Sequence, residues 1–220
     1  RPDEYHALKA GRLHKLEALG LAVEVGPGQW MIDGRAEATL RELGQRGDII
    51  KRMHRALTDR GIERGSASYV LAAESLDTPI IGRLVDRGLD DELKGTAYAV
   101  VDGVDGRTHH IRLPHLDAAG DSAPGSIVEL RKFDDAQGRR RVAIAARSDL
   151  AIEDQVTASG ATWLDRQLVI KDPATLANHG FGQEVREALE ARRAHLQRLG
   201  LADHAGCLRP GLLATLKAEE

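Results

Sequence analysis

Short apolar runs rich in β-branched residues fill the middle of the chain, and apolar positions at helical spacing fill both flanks. The runs Ile80 to Val85, Thr96 to Val101 and Arg107 to Leu113 are separated by the polar turns Asp86 to Gly95 and Asp102 to Gly106. Two further runs, Ser126 to Phe133 and Arg139 to Ala146, enclose the turn Asp134 to Gly138. This spacing predicts consecutive antiparallel strands that close into a small barrel. Along the run from Ser126, alternation turns Val128 and Leu130 inward and Glu129 and Arg131 outward.

On the N-terminal side, Leu13, Leu16 and Leu19 predict a helix over residues 3–19 that stops at Gly20. Leu21 to Val25 and Gln29 to Ile32 flank Gly26-Pro27-Gly28, which predicts a hairpin. A short helix over 35–43 is expected to break at Gly44 to Gly47. Asp48 then caps a second helix that buries Ile49, Ile50, Met53 and Leu57 and exposes Lys51, Arg52, His54 and Arg55. Residues 61–78 read as transitional, with a short strand at Tyr69 to Leu71, and residues 151–183 as irregular. A last helix runs from Gln183 to Leu199 and stops at Gly200. The string His14 to Ala22 lines up with Ala194 to Ala202, and Ala38-Thr39-Leu40 with Ala214-Thr215-Leu216. The fold expected is therefore α+β, a small antiparallel β-barrel over 61–150 between helix–hairpin modules over 1–60 and 151–220.

With 220 residues, 42% of them hydrophobic, the chain is long enough for packed cores. Aromatics are 3%, which argues against a stacking platform for single-stranded nucleic acid, because such platforms need exposed rings. The net charge of −3 confines any nucleic-acid contact to a local patch. Residues 1–60 hold 11 basic and 9 acidic side chains, and residues 61–150 hold 12 and 15. One cysteine, Cys207, excludes a disulfide framework, and no apolar run reaches the ~18 residues of a membrane span. No signal peptide is recognisable, so a reduced, cytoplasmic setting without membrane contact is expected. The start in helical sequence without Met is expected of a piece of a longer protein.

Chemistry-bearing clusters are few. His109 and His110 are neighbours on a strand, so they point to opposite faces and cannot share a metal; one is expected packed and one exposed. Asp90-Asp91-Glu92 sits in a turn, where carboxylates accept backbone N–H groups. No nucleophile elbow, metal-ligand spacing or phosphate loop is present, so the chain is not expected to be an enzyme by itself. The candidate DNA contacts are Lys9, Arg12, Lys15, Lys51, Arg52 and the cluster Arg139, Arg140 and Arg141. A second candidate set is Arg60-x-x-x-Arg64 and Arg83-x-x-x-Arg87 with Asp102, because paired guanidiniums suit phosphates and flat purines.

Three resemblances extend this reading. The helix ending in Leu19-Gly20-Leu21, followed by a hairpin, resembles the recognition helix and wing of winged-helix DNA-binding domains. Arg83-x-x-x-Arg87 followed by Asp102-Gly103-Val104-Asp105-Gly106 resembles PilZ domains, which implies a barrel binding cyclic di-GMP. Here Val104 stands where that family has Ser or Ala, and Gly106 comes one residue early. Longer strings resemble the C-terminal region of relaxases, the mobilisation nucleases of conjugative plasmids and integrative elements. They are Gly11-Arg12-Leu13 through Gly20-Leu21-Ala22, Gly47-Asp48-Ile49-Ile50-Lys51, Gly88 to Tyr98, Val101 to Arg107, Thr162-Trp163-Leu164-Asp165-Arg166 and Gly180-Phe181-Gly182 with Val185-Arg186. That resemblance implies a nicking domain N-terminal to this region. The family's histidine motif is absent here, so Tyr5, Tyr69 and Tyr98 do not inherit the nicking role. It implies an accessory role: binding or positioning transfer DNA, regulating the nuclease domain, or docking to the coupling and secretion apparatus.

Overall fold

The computed structural model describes residues 2–71 and 78–217, so the transitional stretch is described apart from 72–77. The fold is α+β, and the chain divides into two compact units, residues 1–49 and 50–220.

In the first unit, α1 (Pro2–Ala18) leads into the antiparallel ribbon of β1 (Ala22–Gly26) and β2 (Gln29–Ile32), and then into α2 (Ala36–Thr58). Gly20 ends α1 at φ 69°, and the Leu21 N–H donates to the Leu16 carbonyl at 2.8 Å. This is the left-handed stop that a glycine permits. Leu16, Leu21, Ala22 and Ala36 form the core, with Trp30 and Leu40 against it.

Helix α2 runs unbroken through Gly44 and Gly47, where a break was expected. A helical glycine costs only about 1 kcal/mol relative to alanine. The continuous helix meanwhile buries Ile49, Met53, Ala56 and Leu57. Asp48 is accordingly an interior residue rather than a cap, and Ile50 is exposed.

The second unit is built on six strands: β3 (Tyr69–Val70), β4 (Ile80–Asp91), β5 (Thr96–Gly103), β6 (Thr108–Leu113), β7 (Ile127–Asp134) and β8 (Arg140–Ser148). Their order is β3-β6-β5-β4-β7-β8. The expected barrel is not closed, and the sheet is mixed because β3 pairs in parallel with β6. β6 and β8 approach one another, with a 3-10 turn at Leu116–Ala119 beside both. β4 extends to Asp91, so only Glu92 to Gly95 remains of the long turn expected after Val85. Its start pairs with β7 through Ile80–Arg83, and from Gly82 on it pairs with β5, with a register shift between Leu84 and Asp86. Gly82 is required here: a Cβ would lie 2.4 Å from the Asp102 carbonyl oxygen. Leu84, Ala97, Ala99, Val101, Ile111, Leu113, Val128, Leu130 and Ile144 fill the concave side, with Ala119 among them.

Four helices complete the unit: α3 (Ile152–Thr157), α4 (Trp163–Val169), α5 (Gly180–Arg198) and α6 (Leu212–Lys217). The first two occupy the stretch expected to be irregular. They are too short to show a period, and side-chain bonds define them instead. Thr162 and Asp165 form a capping box at the start of α4. Arg192, fully buried on α5, donates to Asp165 at 2.8 and 2.9 Å and to the carbonyls of Val156, Ala158 and Gly160. Val104, Ile127, Ile152, Trp163, Leu164, Phe181 and Val185 pack beside this bond set.

The sequence echo is structural. At the end of α5, Gly200 stands at φ 73° and Leu201 N–H donates to the Leu196 carbonyl at 2.9 Å, as Leu21 does to Leu16. Ala202 then bridges to Leu208 where Ala22 pairs with Ile32, and the buried Leu212 occupies the place of Ala36. The second copy keeps one bridge in place of a full hairpin.

Candidate nucleic-acid interface

The β7–β8 hairpin carries three consecutive arginines, Arg139 to Arg141. Residues 127–148 hold six basic side chains and three acidic ones. Only the first half of β7, Ile127 to Leu130, pairs with β4, so Arg131 to Val142 project as a two-stranded arm beyond that pairing. Alternation and register place Glu129, Arg131 and Phe133 on one face with Arg141, Ala143 and Ala145 opposite them. Val128, Leu130 and Ile144 take the other face and enter the core.

Acidic residues fix the geometry of this arm. Asp135 accepts the backbone N–H of Arg139 at 2.9 Å and of Gln137 at 3.0 Å, and Gly138 completes the turn at φ 72°. Its second oxygen accepts Arg139 Nε at 3.0 Å and Arg141 Nε at 3.1 Å. The Arg139 backbone bond contributes most to holding its carboxyl down at about 2. Arg140 pairs with Asp134 at 3.1 Å. Glu129 is buried and accepts Arg131 Nε and Arg147 Nε, each at 2.6 Å. Burial pushes its pKa up, and the two guanidiniums outweigh that, leaving it below the ordinary carboxylate value. Arg139, Arg140 and Arg141 are thus brought together as expected, each with an acidic neighbour. Phe133, Arg131 and Arg147 were missed; the sequence signal was a lone aromatic residue directly after the basic pair Arg131-Lys132.

The other candidates lie elsewhere. Lys9, Arg12 and Lys15 are exposed along α1 at three-residue spacing. Lys51 is exposed on α2. Arg52 binds Asp90 at 2.7 Å and lies 4.3 Å from the centre of the Tyr98 ring, so it ties the helix to the sheet. Tyr98 donates to Asp86 at 2.8 Å and stacks on His110 at 5.5 Å. Burial and Asp86 push the Tyr98 hydroxyl up to about 12.

His109 and His110 do face opposite ways, but both are buried, against the expectation of one exposed ring. The sheet is covered on both sides. His109 binds Asp105 at 2.9 Å, and burial pushes His110 down to about 4. Asp91 accepts the N–H groups of Leu93 and Lys94 at 3.0 and 3.2 Å, the expected use of that acidic turn. Asp90, in contrast, serves Arg52 from within β4.

The second arginine set converges in part. Arg64 and Arg83 both donate to the fully buried Asp102, at 2.8 and 3.0 Å, and both reach Glu184 on α5. Burial lowers the Arg64 pKa, and Asp102 and Glu184 more than restore it, so it stands raised. Arg83 also lies over Phe181 at 4.6 Å. Arg60 and Arg87 go elsewhere, to the carbonyls of Val85 and Gly120. With side chains only 14% and 11% exposed, Arg64 and Arg83 leave a phosphate little access beside these two carboxylates.

Among the described residues no group of three or more His, Cys, Asp or Glu side chains is arranged to hold a metal ion, and no helix is long and apolar enough to cross a membrane. No curated protein and no solved structure matches the chain. A family model described as a protein of unknown function (DUF3363) matches residues 9–137 and 130–220. Matched over nearly all its length, the chain belongs to the DUF3363 family.

Proposed function

We propose that this chain is a non-catalytic accessory module of a conjugative relaxase, which binds or positions transfer DNA beside the nuclease domain. The strand connectivity is the observation that supports it most. The five antiparallel strands β6-β5-β4-β7-β8 have the order of partly open Greek-key barrels of the OB type, which bind oligonucleotides. Taken alone, that is a fold-level analogy, and a function needs a site. The projecting basic arm supplies one, and a local site suits a chain whose net charge is −3. Fluorescence anisotropy of the chain with labelled transfer-origin DNA at about 50 mM salt tests the proposal. Saturable binding supports it, and no binding rejects it.

A second reading, docking to the coupling or secretion apparatus, is favoured by the β1–β2 ribbon. Val23, Val25 and Met31 lie on one face of that ribbon and are exposed by 55%, 58% and 63%. Such an apolar face suits a protein partner. Capture of the purified coupling protein that is lost in Val23→Lys and Met31→Lys would support docking; undiminished capture would reject that face.

A further inference from the structure

We infer that the β7–β8 arm is a contact site for single-stranded DNA, with Phe133 stacking on one unpaired base and Arg131 and Arg141 holding the flanking phosphates. The inference rests on the DNA-binding reading above and assigns its site and strand form. Phe133 is 44% exposed, while the aromatic rings of Trp163 and Phe181 in the same unit are buried. An exposed ring at the end of a charged arm gains nothing from the core. Arg141 is its direct partner across the ladder, about 5 Å away, and Arg131 lies two residues back on the same face, about 7 Å away. The ring therefore stands between two arginine positions on one face of the arm. Arg141 donates to Asp135 through Nε, and Arg131 to Glu129 through Nε and Nη2. Each bond orients a guanidinium and leaves terminal N–H donors for a phosphate oxygen.

The usual oligonucleotide surface of such barrels, the outer face of their second and third strands, is closed here. On β5 and β6 that face carries Tyr98 and His110, and Arg52 lies over Tyr98. Contact is thereby moved to the hairpin of the fourth and fifth strands, another place where these barrels bind. A base stacks on Phe133 only when it is free of its own partner, which selects single strands over duplex. One ring and two guanidiniums make a short site, so binding is modest and strongly salt-dependent.

The test is anisotropy of the full chain with oligo(dT) of about 15 nucleotides and with a duplex of the same length, at about 50 mM salt. Oligo(dT) is expected to bind more tightly. Phe133→Ala is expected to weaken it about tenfold and leave the duplex unchanged, and Phe133→Trp to retain binding. Arg141→Ala is expected to reduce the slope of log affinity against log salt by about 0.7. Binding by the wild type that neither Phe133→Ala nor Arg141→Ala alters overturns the arm and leaves the DNA-binding reading standing. Preference for the duplex also overturns it. Failure of the wild type to bind either DNA overturns both. Circular dichroism of each variant confirms the fold, which the exposed Phe133 does not support.

Discussion

Phe133 on β7 lies directly across from Arg141 on β8, and the Leu130–Ile144 pair, three rungs back on the opposite face, is buried. The arm thus presents one face to the core and the other outward. Stability should separate the two. Phe133→Ser is expected to change the unfolding free energy by less than about 0.5 kcal/mol. Leu130→Ala, which empties a fully buried site, is expected to cost ~2–5 kcal/mol. Urea titration of both variants checks the contrast, and equal losses would mean that the Phe133 ring packs.

Arg192 and Asp165 form a fully buried, two-point ion pair. Removing Asp165 leaves the Arg192 charge uncompensated and removes the capping box that starts α4. Asp165→Ala should therefore destabilise the chain by about 3–5 kcal/mol, seen as a fall in the urea midpoint. A loss under ~1 kcal/mol would show that the pair does not hold these helices.

His110 gives the chain an acid sensitivity. Its folded pKa is about 4, lowered by burial and then by Arg52, against 6.5 for the free ring. Between those values the unfolded chain binds a proton that the folded chain does not. The contribution is full above pH 6.5 and is lost as the pH falls towards 4, on the order of 3 kcal/mol in all. Denaturation curves at several pH values should show this slope, and His110→Phe, which keeps a ring on Tyr98, should flatten it. An unchanged slope in His110→Phe would assign the sensitivity to other groups.

Gly82 lets β4 cross from β7 to β5. Its missing Cβ would meet the Asp102 carbonyl oxygen at 2.4 Å and Val101 Cγ1 at 2.7 Å. Gly82→Ala should cost about 1–3 kcal/mol through forced backbone shifts. Gly95→Ala meets no such obstruction, and its cost comes from φ 65° alone. A melting temperature for Gly82→Ala at or above that of Gly95→Ala would contradict the close approach.

Much of this fold was written in local pattern. Turn glycines and alternating runs placed the β1–β2 ribbon and the five longer strands, and the Leu16–Ala22 and Leu196–Ala202 echo foretold a shared helix stop. The continuity of α2 was hidden because glycine reads as a breaker, while the buried stripe from Ile49 to Leu57 decides the outcome. Helices α3 and α4 were hidden because Arg192, distant in sequence, holds the end of α3 through the Val156 and Ala158 carbonyls and α4 through the Asp165 carboxylate. The arm was half visible. Arg139 to Arg141 stood out as a run, whereas Phe133 acquires meaning only once the register sets it against Arg141.

DNA held at a local basic site is held largely by charge. The affinity for single-stranded DNA across a salt series therefore reads that site. A linear fall of log affinity with log salt is expected, with a slope of about −1.4 for two phosphate contacts. No binding at about 50 mM salt, or an affinity indifferent to salt, would contradict it.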